Sequence, residues 1–306
     1  MRKIVFALAF ALCAVAVNAQ VMDEDSFNKA QDTTRQEGWV RGGTVTFLLN
    51  QSAFSNWLAG GENNVAGNLS LNYDFNYTKG DWTWDNKIIA SYGLTKIKDE
   101  NTRKTDDRLE FNSLVGKKAT GYWSYSFFAN FRTQFTDGYD YANDMNEDFA
   151  TSGFFKPAYV TFGPGMLWKK NDNLKFNLAP VTSKMTFLTG EVFTYDKDTE
   201  TFVSSDDIET FGIDPGESFR YELGFYAAGY YKFNIMENVS AENILSLYSN
   251  YLEDPQNVDL DYTLNLVMKI NDYLSTNLTF QTIYDDNAYQ GFQIREVFGL
   301  GVNFGF

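Results

Sequence analysis

The residues best suited to acid–base chemistry are three pairs of adjacent aspartates: Asp106 with Asp107, Asp206 with Asp207, and Asp285 with Asp286. Neighbouring side chains on a β-strand point to opposite faces, so the two carboxylates of such a pair do not meet on one substrate. The chain contains no histidine, which excludes Ser–His and Asp–His hydrolysis and nearly all zinc and haem sites. We therefore expect no enzyme activity, no catalytic residue, no metal and no cofactor.

A larger set of charged side chains recurs at every second position and could share one enclosed surface. The main candidates are Asp85, Lys87, Arg108, Glu110, Arg132, Arg220, Glu222 and Lys232. Further candidates at equivalent positions are Asp74, Tyr122, Phe128, Lys169, Lys175, Tyr226, Tyr230, Glu242, Tyr248, Asp259, Asp261, Lys269 and Arg295. Bases slightly outnumber acids in this set, which suits a pore with a weak anion preference. A packed interior held together by ion pairs fits the same residues equally well.

A third candidate group lies in the stretch 51–63, outside any segment with strand periodicity. Phe54, Trp57 and Glu62 are candidates for a loop plug that folds inward, because Gly60 and Gly61 allow tight backbone turns. The alternative is an ordered loop that packs on its own aromatic residues.

The elements that must position these residues are β-strands, because apolar residues recur with a period of two. Over 65–77, apolar side chains occupy most odd positions, and polar side chains such as Asn68 occupy most even positions. Twelve such segments are centred at about positions 45, 71, 89, 111, 129, 163, 178, 226, 245, 264, 280 and 299. Most reach the ~9–11 residues that a tilted membrane-crossing strand requires. Pro164 interrupts the sixth segment, and Pro180 and Lys184 interrupt the seventh.

Short and long links alternate between these segments. Tight turns are predicted around 79–81, 118–121, 170–173, 235–238 and 271–274, and longer links around 51–64, 98–105, 137–156, 189–217, 252–257 and 286–291. Outer-membrane barrels with an even number of strands follow this order. We therefore predict an all-β fold: a closed, transmembrane antiparallel β-barrel of about twelve strands over residues 39–306.

Aromatic residues mark one end of the predicted barrel. Five tryptophans lie at the strand ends nearest the tight turns: Trp39, Trp82, Trp84, Trp123 and Trp168. Indole rings prefer the membrane–water boundary, so this end resembles an aromatic girdle. The last segment ends on Phe304 and Phe306, which we interpret as an assembly signal for the barrel-assembly machinery.

The N-terminus has the features of a secretory signal peptide over residues 1–19, because a basic start and an apolar stretch precede small residues. Residues 20–38 form a polar leader, predicted to be periplasmic. These features predict the outer membrane of a Gram-negative bacterium as the location, with membrane lipid, lipopolysaccharide and the assembly machinery as partners. The net charge of −15 argues against nucleic acid as a partner.

Acidic residues concentrate in two of the predicted long links, over 137–148 and 196–214. Such loops can bridge lipopolysaccharide through divalent ions or capture a cationic ligand. The alternative is that the carboxylates are simply solvated.

Seven distinct motifs occur along the chain: Gln51 to Asn63, Trp84 to Asn86, Tyr92 to Leu94, Arg103 to Arg108, Pro157 to Tyr159, Tyr248 to Leu252, and Ile283 to Asp286. In these motifs the chain resembles an uncharacterised family of Bacteroidota proteins, the domain-of-unknown-function family 3078. The resemblance extends over essentially all of residues 20–306 and implies an outer-membrane setting. It brings no catalytic or ligand-binding residues with it.

Two functions remain open at this point. The first is a passive channel or small-solute uptake pore, whose solute the sequence does not identify. The second is a barrel with a filled lumen that serves as a structural or scaffolding partner for envelope or surface proteins.

Overall fold

The computed structural model describes residues 37–53, 62–144, 147–271, 274–285, 287 and 289–306. The predicted signal peptide and most of the predicted leader fall in residues 1–36, which lie outside the described residues. The described part from Glu37 to Phe306 forms one compact unit, and its first strand begins at Gly38.

Twelve long strands within the described residues form the wall of one closed barrel. They are β1 (Gly38–Ser52), β2 (Asn64–Lys79), β3 (Trp82–Ile97), β4 (Thr102–Thr120), β5 (Trp123–Thr133), β8 (Ala158–Asn171), β9 (Leu174–Phe187), β12 (Phe219–Met236), β13 (Val239–Asn250), β14 (Asp259–Lys269), β15 (Leu274–Asp285) and β16 (Tyr289–Gly305). Four short strands form two hairpins in the links: β6 (Gly138–Tyr139) with β7 (Ala150–Ser152), and β10 (Phe193–Asp196) with β11 (Thr201–Ser204). Among the described residues, no helix has the length and apolar character needed to cross a membrane.

Around the wall, the strands follow chain order and every neighbouring pair is antiparallel. The barrel closes where β1 pairs with β16, with Thr44 opposite Gly305 and Leu49 opposite Leu300. The prediction of a closed antiparallel barrel of twelve strands is confirmed, and each predicted centre falls inside a strand.

The two faces of the wall have opposite polarity, because successive side chains of a strand point to opposite sides. On the outer face, apolar side chains stay accessible: Leu69 is 53% and Phe298 is 58% exposed. On the inner face, polar side chains are buried: Glu222 is only 2% and Glu110 only 8% exposed. This inside-out distribution is the reverse of that in a soluble protein, where large apolar patches are rarely exposed.

The links distinguish two ends of the barrel. The turn end carries the links 80–81, 121–122, 172–173, 237–238 and 270–273, and the loop end carries 53–63, 98–101, 134–157, 188–218, 251–258 and 286–288. The predicted alternation of short and long links therefore holds for most of the chain. The alternation is wrong for the last two links, because the link 286–288 between β15 and β16 is no longer than the turn 270–273 before it. The predicted links 137–156 and 189–217 contain the two hairpins rather than irregular loop alone.

Prolines occur inside β8 and β9 without ending either strand. The pairing of these strands shifts between Phe162 and Met166, so Pro164 and Pro180 both lie in a bulge, where a missing N–H breaks no ladder bond. The interruption at Pro180 corresponds to this shift in pairing, and β9 continues past Lys184 to Phe187, which agrees with the predicted start of the next link at about 189.

The link 188–218 has a small apolar core of its own. Leu188, Val192 and Ile213 are buried together, and Phe211 packs against them. At the turn of its hairpin, the backbone N–H of Asp198 and the hydroxyl of Thr199 each donate a hydrogen bond of 2.9 Å to Asp196. These bonds favour the carboxylate and hold the pKa of Asp196 below its usual value.

A ring contact joins the two long links at the loop end. Phe149, beside β7, stacks on Phe202 of β11 with ring centroids 4.7 Å apart, and it also meets Phe193 of β10 edge-on. The two links therefore form one folded layer instead of two independent loops.

The turn end carries the predicted aromatic rim. Trp39, Trp84 and Tyr77 pack against one another, with the two indole centroids 5.7 Å apart. Trp168 stacks on Phe176 at 5.0 Å. Tyr122 lies in the β4–β5 turn and meets Trp168 edge-on, so the prediction that Tyr122 points inward is wrong.

Candidate functional site: the charged lumen

The inward residues of β2 to β5, β8, β9 and β12 to β15 enclose a cavity of about 640 Å³ inside the barrel. The cavity extends from Asp172 and Asn173 at the turn end to Asp259 and Asp285 at the loop end. Its polar groups lie on strands that close on themselves, so the wall holds them in fixed register.

At the turn end, acids and bases of different strands pair across the wall. Lys169 lies 3.1 Å from Asp85, and Lys87 lies 3.9 Å from Asp74. On the opposite side, the Tyr230 hydroxyl donates a 2.8 Å hydrogen bond to Glu242. The Lys175 ammonium lies over the face of the same tyrosine, 5.2 Å from the ring centroid.

In the middle of the cavity, an amide and carboxylate network faces an aromatic pair. Glu110 accepts hydrogen bonds from Arg108, from Asn112 at 2.7 Å and from Asn130 at 3.1 Å. Phe128 of β5 stacks on Tyr226 of β12, with ring centroids 4.6 Å apart.

Toward the loop end, an ion pair spans the lumen. The Arg132 guanidinium of β5 lies 3.0 Å from the Asp261 carboxylate of β14. Gln281 donates to the second oxygen of Asp261 at 2.9 Å, and the Arg132 side chain lies over the Tyr159 ring, 5.0 Å from its centroid. Both ends of the pair are thus fixed by a second contact.

Nearer the loop end, one lysine lies among three carboxylates. The Lys184 ammonium lies 3.0 Å from Asp259, 3.3 Å from Glu222 and 3.7 Å from Asp285. It also lies over the Tyr248 ring, 5.0 Å from the centroid. We call these five residues the Lys184 site.

Arg220 connects the Lys184 site to the loops. Its guanidinium pairs with Glu222 at 3.2 Å and with Glu253 at 2.7 Å, and it also donates to the Gly212 carbonyl of the link 188–218. A small second cavity of about 40 Å³ lies here. Its charged wall carries Arg220 against four acids, which are Glu222, Glu253, Asp254 and Asp259.

The structure places most of the predicted lumen residues on a cavity wall. Asp85, Lys87, Arg108, Glu110, Arg132 and Lys232 line the large cavity, and Arg220 and Glu222 line the small one. Of the predicted plug, Phe54 and Trp57 lie outside the described residues. Glu62 is exposed, two residues before β2.

The charge balance of the cavity differs from the one predicted. The described residues on its wall include the bases Lys87, Arg108, Arg132, Lys175, Lys184 and Lys232, against the acids Asp74, Asp85, Glu110, Asp172, Glu242, Asp259, Asp261 and Asp285. Acids therefore outnumber bases on this wall, which is a smaller set of residues than the inward positions counted in the sequence. An electrostatic preference for anions does not follow from this wall.

Sequence reasoning missed Lys184 and Asp285 as lumen residues. The signal for Lys184 is present, because Thr182, Lys184 and Thr186 alternate with Val181 and Met185, but Pro180 interrupts this alternation. In the sequence, Asp285 stands out only as half of an aspartate pair. No group of three or more His, Cys, Asp or Glu residues suited to a metal ion occurs in the described part of the chain.

Comparison with known families gives one match. The family described as "Protein of unknown function (DUF3078)" matches residues 49–139, so the predicted resemblance is confirmed over that part. The matched part runs from the end of β1 to β6 and includes the first four of the motifs. No curated protein matches the chain significantly.

Solved barrels with low sequence identity align with most of the chain. The translocator domain of the autotransporter NalP from Neisseria meningitidis is 10% identical, with 92% of this chain and 93% of that chain covered and a TM-score of 0.38. An outer-membrane channel from Pseudomonas putida F1 is 10% identical, with 88% and 95% covered and a TM-score of 0.39. The outer-membrane channel DcaP of Acinetobacter baumannii is 11% identical, with 88% and 96% covered and a TM-score of 0.26.

Proposed function

We propose that this chain is a β-barrel of the outer membrane of a Gram-negative bacterium that passes small polar solutes through its lumen by passive diffusion. The observation that carries the proposal is the polar cavity of about 640 Å³ inside a closed wall. A cavity lowers the stability of a folded protein, so a barrel whose interior only packed together would be expected to fill this one.

The outer face supports the membrane location. Its apolar side chains, such as Leu69, Phe127 and Phe298, are each about half exposed, and a lipid bilayer would remove them from water. The tryptophans at the turn end suit the membrane–water boundary. Membrane lipid and lipopolysaccharide are therefore the proposed partners of this face, and no nucleic acid or enzymatic reaction is part of the proposal.

The last strand supports assembly by a dedicated machinery. Phe304 on β16 is 57% exposed, and Phe306, which follows β16, is 66% exposed, beside the pairing with β1 that closes the barrel. Before closure, an accessible edge strand with apolar side chains is a surface that another chain can pair with. We propose that the barrel-assembly machinery recognises this strand.

The alternative function, a structural barrel with a filled lumen, also has an observation in its favour. The Arg132–Asp261 pair and the Lys184 site both cross the lumen toward the loop end, and each narrows the path that a solute would take. In that case the barrel would serve as a scaffold for envelope or surface proteins.

Conductance of the refolded chain in a planar bilayer separates the two functions. With KCl on both sides, a channel gives discrete current steps, and a salt gradient then gives the ion preference from the reversal potential. A barrel that is folded, as judged by heat-dependent migration on a denaturing gel, but gives no steps would contradict the channel and favour the scaffold.

A further inference from the structure

We infer that the lumen selects organic cations that carry ammonium groups. This inference rests on the proposed channel function and names the class of solute for it. It is drawn from the side chains that already occupy the lumen, since three of them are cations held in the same kind of surroundings.

Three tethered cations lie against tyrosine faces along the cavity. Their nitrogen or guanidinium carbon lies 5.0 to 5.2 Å from the ring centroid in the pairs Lys184 with Tyr248, Arg132 with Tyr159, and Lys175 with Tyr230. A cation at this distance is attracted by the negative face of the ring. The pairs are distributed from the loop end to the turn end, so the aromatic sites form a series along the path and not one isolated position.

Each of these tyrosine sites also has a carboxylate. Asp259 lies 3.0 Å from Lys184, Asp261 lies 3.0 Å from Arg132, and Glu242 accepts the hydrogen bond of the Tyr230 hydroxyl at 2.8 Å. A ring face combined with a carboxylate binds an alkylammonium ion through both its charge and its C–H groups. An anion would find Arg132 and Lys184 on this surface already paired with carboxylates. A neutral sugar would gain nothing from either charge.

The charge of the path favours entry of cations from the loop end. On the described residues of the large cavity the acids exceed the bases, and the small cavity has one base, Arg220, against four acids. Opposite charge in a cleft raises the local concentration of a charged solute. The acidic links, for which capture of a cationic ligand was one of the two alternatives, surround this same end.

The Lys184 site has a polar group available for an incoming ammonium. Tyr248 is 6% exposed, and its hydroxyl has no hydrogen-bond partner among the described residues. A buried polar atom without a partner is costly, and a phenolic oxygen can accept a hydrogen bond from an ammonium group. A solute ammonium that enters here would displace that of Lys184 from one or more of its three carboxylates, and it would then pass to the next tyrosine site.

The probe for this inference is spermidine, added at the loop side to single channels that conduct KCl. The wild-type channel is expected to prefer potassium over chloride and to show reversible, concentration-dependent block. Tyr159→Leu removes a ring face without changing any charge, so it should weaken the block by roughly two- to fivefold, the effect of one partly solvated cation–π contact, while the potassium-to-chloride ratio stays the same. The Asp259→Asn/Asp285→Asn double variant should weaken the spermidine block and also reduce the potassium-to-chloride ratio.

A matched control is Asp198→Asn/Glu200→Gln, which removes the same two negative charges from the exposed β10–β11 turn outside the lumen and should change neither quantity. Heat-dependent gel migration checks that each variant folds. Chloride-selective steps, or block that neither lumen variant alters, would overturn the cation inference and leave the channel proposal standing. Folded wild-type protein without any steps would overturn both.

Discussion

Arg132 on β5 and Asp261 on β14 form a salt bridge of 3.0 Å, although β8, β9, β12 and β13 separate their strands along the wall. The bridge therefore crosses the interior of the barrel. It is fixed at one end by the Tyr159 ring and at the other by Gln281. A pair in this position limits the width of the lumen and ties opposite walls together.

We predict that Arg132→Gln raises the single-channel conductance, because the shorter side chain no longer reaches Asp261. Stability should fall by about 1–2 kcal/mol, between the values of exposed and buried pairs, since both side chains remain partly accessible. Arg41→Gln is the matched control, because Arg41 is exposed and lies near Trp39 of the turn end instead of in the lumen. Equal conductance of Arg132→Gln and wild type would show that this bridge does not limit the path.

The inward set could be predicted from sequence because alternation fixes which face a residue shares. Alternation assigns Lys87, Arg108 and Glu110 to the polar face of their strands, and their placement on the lumen follows from that. The exterior aromatic rim followed in the same way. These assignments need only the phase of a local pattern.

The pairs within the lumen could not be predicted in this way. Arg132 and Asp261 belong to strands that do not touch, and whether they meet depends on barrel diameter and stagger, which a local pattern does not contain. For a different reason, Lys184 was not predicted to face the lumen. Its strand carries a proline, and a bulge allowed the strand to continue where the pattern alone suggested an interruption.

The proposed membrane location predicts that an arginine on the outer face lowers the stability of the barrel by an amount that depends on its depth in the bilayer. Leu71, near the middle of β2, shares the outer face with Val65, which is close to the loop end. Leu71→Arg should destabilise the barrel in lipid vesicles by about 2–4 kcal/mol, and Val65→Arg by about 0–1 kcal/mol. Urea unfolding in vesicles measures both. Equal costs at the two positions would contradict a bilayer around this face.

Two glycines of β12 predict opposite responses to one added methyl group. A Cβ at Gly224 would meet the Ser249 carbonyl and lie 2.8 Å from the Tyr248 ring, whereas a Cβ at Gly229 would have no neighbour within 4 Å. Gly224→Ala should therefore cost about 1–3 kcal/mol through backbone strain and displacement of Tyr248. Gly229→Ala should leave stability unchanged or slightly raised. Similar unfolding midpoints for the two variants would show that Gly224 does not confine the Tyr248 ring.

The Lys184 site predicts a change in ion selectivity. Its ammonium lies within 4 Å of Glu222, Asp259 and Asp285, so Lys184→Gln leaves three carboxylates without their common counter-ion. Salt screens buried charges much less than exposed ones, so these carboxylates should attract potassium inside the lumen even at about 0.1 M salt. The potassium-to-chloride permeability ratio should rise by roughly twofold or more, while stability falls by about 3–5 kcal/mol because one partner of a buried charged group is missing.

Lys197→Gln removes an equal charge from the exposed β10–β11 turn and is the matched control for this prediction. Reversal potentials in a KCl gradient compare the two variants under identical conditions. A raised ratio in Lys184→Gln alone would mean that the ammonium of Lys184 balances acids on the conducting path. An unchanged ratio in both would place the path of the ions away from Asp259 and Asp285, and the cation preference would then have to arise nearer the turn end.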